Sequence, residues 1–226
     1  MQHIEATLNV SVIDDILAQA SKLREDESCI NSLYNLSEQF RSALAFDVPI
    51  YLTGIGKPGY VAMKQAATLK SIAVQAEFID ATLAGHGDLG SIPTNKASML
   101  FAMSKSGLSS ELYKLFTVLK QIRPQCQITL ICMSTNEQLE QVNEQGKGII
   151  DNVIRFNVEP GELEGRGIVP ATSNALFEVI CSTAIANAAT KAFGVIGVCE
   201  RLQICHPSGT LQNKVTKLLN DISNEQ

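Results

Sequence analysis

Five short apolar runs, IYLT (50–53), VQAEFI (74–79), ASMLFAM (97–103), QITLICM (127–133) and NVIRFNV (152–158), alternate with segments of helical periodicity. Runs of this length, apolar on both faces and separated by helices, suit a parallel crossover sheet buried on both sides. The expected architecture is therefore α/β, a doubly wound five-stranded parallel sheet flanked by helices. Ahead of it, Val12, Ile13, Ile16 and Leu17, then Leu33, Leu36, Phe40 and Leu44, form stripes at helical spacing. Residues 1–45 are thus expected to be a helical segment packing on the core, and residues 46–226 one α/β domain with a C-terminal helix. The chain has 226 residues, 45% hydrophobic and 18% charged, enough for one sizeable core.

A net charge of −5 without a Lys/Arg-rich block speaks against a general nucleic-acid or anionic-membrane surface. No N-terminal signal pattern is present, and the apolar runs fall short of the roughly 20 residues a bilayer span needs, so a soluble cytoplasmic protein is expected. The six cysteines include no CxxC pair, which makes zinc and disulfides poor expectations, and Cys205 beside His206 is a weak candidate thiol nucleophile. The segment SNALFEVICSTAIANAATKAFG (173–194) is small or apolar nearly all round. That is more than one sheet face requires, so one side is expected to meet another copy of the chain.

The chemistry-bearing residues gather where strands hand over to helices. SKSGLSSE (104–111) places Ser104, Ser106, Ser109 and Ser110 around Gly107 at such a junction, where unpaired helix amides and short hydroxyls suit a phosphate ester. The first strand runs into GIGKPG, in which Gly54, Gly56 and Gly59 match GxGxxG, while Asp80 ends the second strand where a ribose-binding acid would stand. A dinucleotide site is thus a competing reading. Against it, Lys57 and Pro58 put a cation at the mouth of the turn, and the hydroxyl-rich loop has no task beside a dinucleotide. Two of the three histidines, His86 in AGHGDLG and His206 in CHPSG, lie among turn residues, as groups facing a cleft do. They have no acidic or thiol spacing that would make a metal site. Glu111, in the first turn after the hydroxyl loop, and Glu162, after the fifth strand, are the candidate general bases. Together with Lys57 and two histidines they form a set suited to moving protons on a phosphorylated sugar.

GIGKPGY, AGHGDLG, SKSGLSSE, IVPATSN and CHPSGTL, in that order and spacing, resemble the sugar isomerase (SIS) domain of the arabinose 5-phosphate isomerase family across roughly residues 46–215. The resemblance implies a flavodoxin-like fold and an aldose–ketose isomerase without cofactor or metal. Lys57, His86, Glu111, Glu162 and His206 fall on the family's catalytic positions. Ser104, Ser106 and Ser109, with Thr172 and Ser173 from the other side, fall on its phosphate hydroxyls. It also implies a homotetramer in which neighbours complete each site, and a product used for the eight-carbon acid Kdo of lipopolysaccharide or capsule. Longer family members carry a C-terminal pair of CBS modules, for which this chain has no room. Four places depart from the pattern: Pro58 replaces Ser, Lys105 replaces Asn, Leu108 replaces Glu, and Glu164, Gly165 and Arg166 replace a Pro-containing tract. Lys105 and Arg166 are expected to add positive charge beside the sugar, and Leu108 to remove a polar contact. A non-catalytic sugar-phosphate-binding module is the runner-up.

Overall fold

A computed structural model describes residues 11–160, 171–208 and 210–224. Two helices, α1 (Ser11–Glu25) and α2 (Glu27–Ala45), precede the strand β1 (Ile50–Gly54). Then follow α3 (Lys57–Lys70), β2 (Ala76–Phe78), two short 3-10 turns (Ala84–His86 and Asp88–Ser91), β3 (Ser98–Ser104), α4 (Ser110–Ile122), β4 (Cys126–Cys132), α5 (Asn136–Gln145) and β5 (Asn152–Arg155). The chain continues through α6 (Thr172–Cys205) to α7 (Thr210–Asn224). The strands pair parallel throughout in the order β2-β1-β3-β4-β5. That is the flavodoxin-like doubly wound order.

The period-2 alternation of the strands divides the core into two layers. Ile50, Leu52, Met99, Phe101, Met103, Ile131 and Ile154 face a cluster that takes in Leu36 and Phe40 of α2, Ala66 of α3, and Phe177 and Ile180 of α6. Tyr51, Leu100, Ala102, Ile128, Leu130 and Cys132 face the opposite cluster, closed by Leu112 and Phe116 of α4, Val142 of α5 and the 79–92 segment. The N-terminal helices are built into the first layer. Phe40 stacks on Phe101 with ring centroids 4.1 Å apart, Thr129 Oγ1 donates to Gln39 Oε1 at 2.5 Å, and Ser32 Oγ donates to the Arg155 carbonyl at 2.6 Å. Both stacked rings are fully buried. Phe40→Ala should cost about 3–5 kcal/mol, read as a lower urea midpoint; a midpoint within error of the parent would mean that α2 contributes little to the cooperative core.

The apolar segment near the C-terminus is longer than its interrupted sequence suggested. Among the described residues one helix, Thr172–Cys205, is long and apolar enough by length and composition to cross a membrane. Glu178, Asn187 and Lys191 break the run in sequence, but averaged around the helix it stays apolar. Here the helix lies along α2 and α3, with Leu176, Phe177, Ile180, Cys181, Ala184 and Ile185 buried in the first layer. Burial pushes the Cys181 thiol far above its ordinary value. The helix kinks at Gly194, where φ is 70° and ψ 168°. Beyond the kink, Val195, Ile196 and Ile204 are exposed.

Candidate functional site

The order β2-β1-β3 reverses the direction of winding between β1 and β3. In open parallel sheets, ligands bind beyond the carboxyl ends of the strands at such a switch point. Here Gly54, ending β1, pairs with Met103, the penultimate residue of β3. The GIGKPG turn and the SKSGLSSE loop therefore leave the sheet side by side. Gly54 allows this closeness: a Cβ there would lie 2.9 Å from the Gly59 nitrogen, 2.9 Å from the Pro58 carbonyl carbon and 3.0 Å from the Met103 oxygen. Gly56 caps α3, whose first residue is Lys57, exposed at the edge of the switch point.

The serine loop is braced by its own hydroxyls. Ser104 is buried, and its Oγ accepts from the Gly107 amide at 3.1 Å and lies 3.1 Å from Ser109 Oγ. The Ser106 Oγ accepts from the Leu108 amide at 3.2 Å. Gly107 turns the chain with φ of 76°, and a Cβ there would meet Val142 Cγ2 at 2.7 Å. Ser109 sits at the N-cap of α4 but caps no amide of its first turn. N-cap serines ordinarily satisfy one of those donors. With its hydroxyl turned to Ser104 instead, Ser109 leaves the positive end of the α4 dipole without a side-chain cap, beside half-buried Ser106. Ser104 thus shapes the loop, while Ser106, Ser109 and the α4 amides form its open lip. The loop also leans on Ser134, whose Oγ donates to the Ser106 carbonyl at 2.7 Å. Sequence reading missed Ser134. Its signal was a hydroxyl directly after the apolar β4 run.

Glu111, half-buried in the first turn of α4, lines a cavity of about 370 Å³ together with Lys114 and with Ala81, Ala84 and Gly85 of the segment after β2. His86 stands next to Gly85 in a 3-10 turn and is exposed. Thr172 and Ser173 are buried at the start of α6. Their height follows from the alignment of α6 with α3: Glu178 and Ser182 meet Lys64 and Gln65, so residues 172–173 stand level with Lys57 and Pro58. Lys57, His86, Ser104, Ser106, Ser109, Glu111, Thr172 and Ser173 are accordingly at one edge of the sheet. Glu162, Glu164, Gly165 and Arg166 lie outside the described residues.

His206 is elsewhere. It closes the C-terminus of α6, with Nδ1 2.9 Å from the Leu202 carbonyl oxygen. Five residues earlier, Arg201 donates to the carbonyl of Ala73 at 3.3 Å, in the turn between α3 and β2 at the opposite edge of the sheet. The 14 residues of α3 separate that edge from Lys57, roughly 20 Å at 1.5 Å per residue. Within one chain, His206 does not join the group around Lys57. The long helix that carries it away has no sequence marker of its direction.

Leu108, expected beside the sugar, is partly buried against the second core layer and lines a cavity with Ser110, Tyr113 and Lys114 of α4. Lys105 lines a separate cavity of about 390 Å³ with Ser134, Arg155 and Glu159. Asp80 does end the second strand region, but its Oδ1 accepts from the Thr82 amide at 2.8 Å, the Thr82 hydroxyl at 2.6 Å and the Leu83 amide at 3.3 Å. Those donors, the Thr82 hydroxyl foremost, hold the carboxyl below its ordinary range. Its Oδ1 thus staples the turn after β2, while the residue also lines a cavity of about 190 Å³ with Gly54, Gly56 and Gly59 of the GIGKPG turn.

No family model matches the chain. Over 173 residues, 76% of its length, it is 35% identical to arabinose 5-phosphate isomerase KdsD of Yersinia pestis and 30% identical to that of Escherichia coli K12. The chain spans about half the length of these relatives, 48% of each. Among solved structures, E. coli CFT073 c3406 in complex with arabinose 5-phosphate superposes with a TM-score of 0.64 at 21% identity, over 83% of this chain and 91% of that one. A sugar-phosphate isomerase described as putative, from Listeria monocytogenes, superposes with a TM-score of 0.68 at 19% identity, over 88% and 94%. By sequence over three quarters of its length the chain is similar to the arabinose 5-phosphate isomerases, and it shares its doubly wound fold with solved structures described as sugar-phosphate isomerases.

Proposed function

We propose that the chain is a sugar-phosphate isomerase that interconverts D-arabinose 5-phosphate and D-ribulose 5-phosphate through an enediol. The observation that carries this reading is the uncapped α4 N-terminus beside Ser106 and Ser109 at the switch point, with Lys57 across from it. The phosphate sits on those amides and hydroxyls, with Thr172 and Ser173 closing the other side. Anchoring there holds the sugar carbons against the base, so that binding energy is used for orientation. After ring opening, assisted by His86 or His206, the carboxylate of Glu111 or Glu162 takes the C2 proton. The electrons move into the C1 carbonyl, and Lys57 stabilises the resulting oxyanion. The C1 oxyanion takes up a proton to give the enediol, the O2 hydroxyl proton is given up in its place, and the carboxyl returns its proton to C1, giving the ketose with no net change in protons. No cofactor or metal enters the scheme.

The distance between His206 and Lys57 bears on assembly. If His206 acts, it acts in the site of a neighbouring copy, which fits a homotetramer with shared sites and the exposed Val195, Ile196 and Ile204 of α6. The product would supply an eight-carbon acid such as Kdo.

Kinetics of ribulose 5-phosphate formation test the assignment of the base. One of Glu111→Gln and Glu162→Gln should lower turnover by roughly 100-fold or more with sugar-phosphate binding retained. Full turnover in both variants would remove the carboxylate mechanism. Saturable binding by the parent without turnover of any pentose phosphate would favour the sensing module.

A further inference from the structure

Gln65, in the middle of α3, is completely buried, and its Oε1 is buried without a hydrogen-bond partner. Its Nε2 donates to Glu178 Oε2 at 3.0 Å and to Ser182 Oγ at 3.1 Å, both on α6. Ser182 Oγ also donates to Glu178 Oε1 at 3.0 Å, and Lys64 closes the cluster from the rim with a hydrogen bond to Ser182 Oγ at 3.2 Å and an ion pair to Glu178. On a face of α3 that otherwise carries Ala62 and Ala66 into the core shared with Phe177 and Cys181 of α6, a buried amide is a locally unfavourable choice. Apolar packing alone would hold two helices together but would tolerate sliding along their length. Directional hydrogen bonds fix one register.

The register matters because of what the two helices carry at their starts. α3 begins with Lys57, and α6 begins with Thr172 and Ser173, each about two turns from the cluster. We infer that Gln65, Glu178 and Ser182 are positioning residues: they lock α3 against α6 so that Lys57 and the Thr172–Ser173 hydroxyls stand at a fixed height on opposite sides of the substrate. The α4 lip, which the cluster does not touch, keeps its own share of the phosphate contacts when this lock is lost. The inference rests on the isomerase reading for its kinetic consequence but not for its structural one.

Gln65→Leu is the informative variant, since an apolar residue of similar size removes the buried unpaired acceptor and should keep or raise thermal stability. With D-arabinose 5-phosphate, kcat should fall roughly 10- to 100-fold, as displacements near 1 Å do at an active site. KM should change by less than roughly threefold, because the lip of α4 is intact. Hydrogen exchange should quicken at amides 61–64 and 176–179 but not at amides 114–117 of α4. If Gln65→Leu does not fold, Glu178→Gln, on the half-exposed rim, should give the same split. Unchanged kcat with unchanged exchange would overturn the inference. If the parent turns over no sugar phosphate, the isomerase reading fails, and the exchange pattern alone decides whether the lock exists.

Discussion

Gly54→Ala is expected to lower stability by about 3 kcal/mol, a fall in Tm of roughly 6–12 °C for a chain of this size. The added methyl would meet backbone on three sides, the Gly59 nitrogen and Pro58 carbonyl carbon at 2.9 Å and the Met103 oxygen at 3.0 Å. A flexible side chain would swing away; these atoms belong to the start of α3 and to β3 and must move as elements. The same displacement carries Lys57 away from the serine loop, so activity should be lost even at temperatures where the variant stays folded. Differential scanning calorimetry beside a turnover assay at 15 °C separates the two effects. An alanine variant with parental Tm and activity would show that β1 and β3 do not approach as closely as described.

Lys57→Met is expected to behave in the opposite way. Lys57 is exposed and opens α3, where a positive charge is opposed by the helix dipole. Its removal should change stability by less than about 0.5 kcal/mol, or raise it slightly. Turnover should nonetheless fall roughly 100- to 1,000-fold, the usual effect of deleting one group that stabilises a developing oxyanion. A residue that costs its own helix something, at the edge of a ligand crevice, is best explained by what it does there. Parental turnover in Lys57→Met would remove it from the mechanism.

How much of this was legible in the sequence varies from element to element. The five strands read correctly because each is apolar on both faces, as a covered parallel sheet requires, and the helices between them keep clear stripes. The serine loop and the GIGKPG turn could be placed at strand ends by local pattern alone. That they emerge side by side depends on strand order, which no local signal states. The requirement for glycine at Gly107 was not legible either, since the side chains that leave no room for a Cβ there, Val142 and Ser134, are distant in sequence. The place of His206 was hidden for a larger reason: α6 starts level with Lys57 and runs down the sheet for 34 residues, taking its last residues to the far edge. The 3-10 turns carrying His86 were readable only as Gly-bounded loop, since runs of three or four residues leave no periodicity.

The central claim is that this chain removes a proton from C2 of a five-carbon sugar phosphate. Proton NMR of the purified protein with D-arabinose 5-phosphate in deuterated water tests it most directly. The account predicts that ribulose 5-phosphate resonances grow in while the C2 proton signal of the remaining aldose is replaced by deuterium. An aldose that keeps both its concentration and its C2 proton signal through prolonged incubation with active-concentration protein would contradict it.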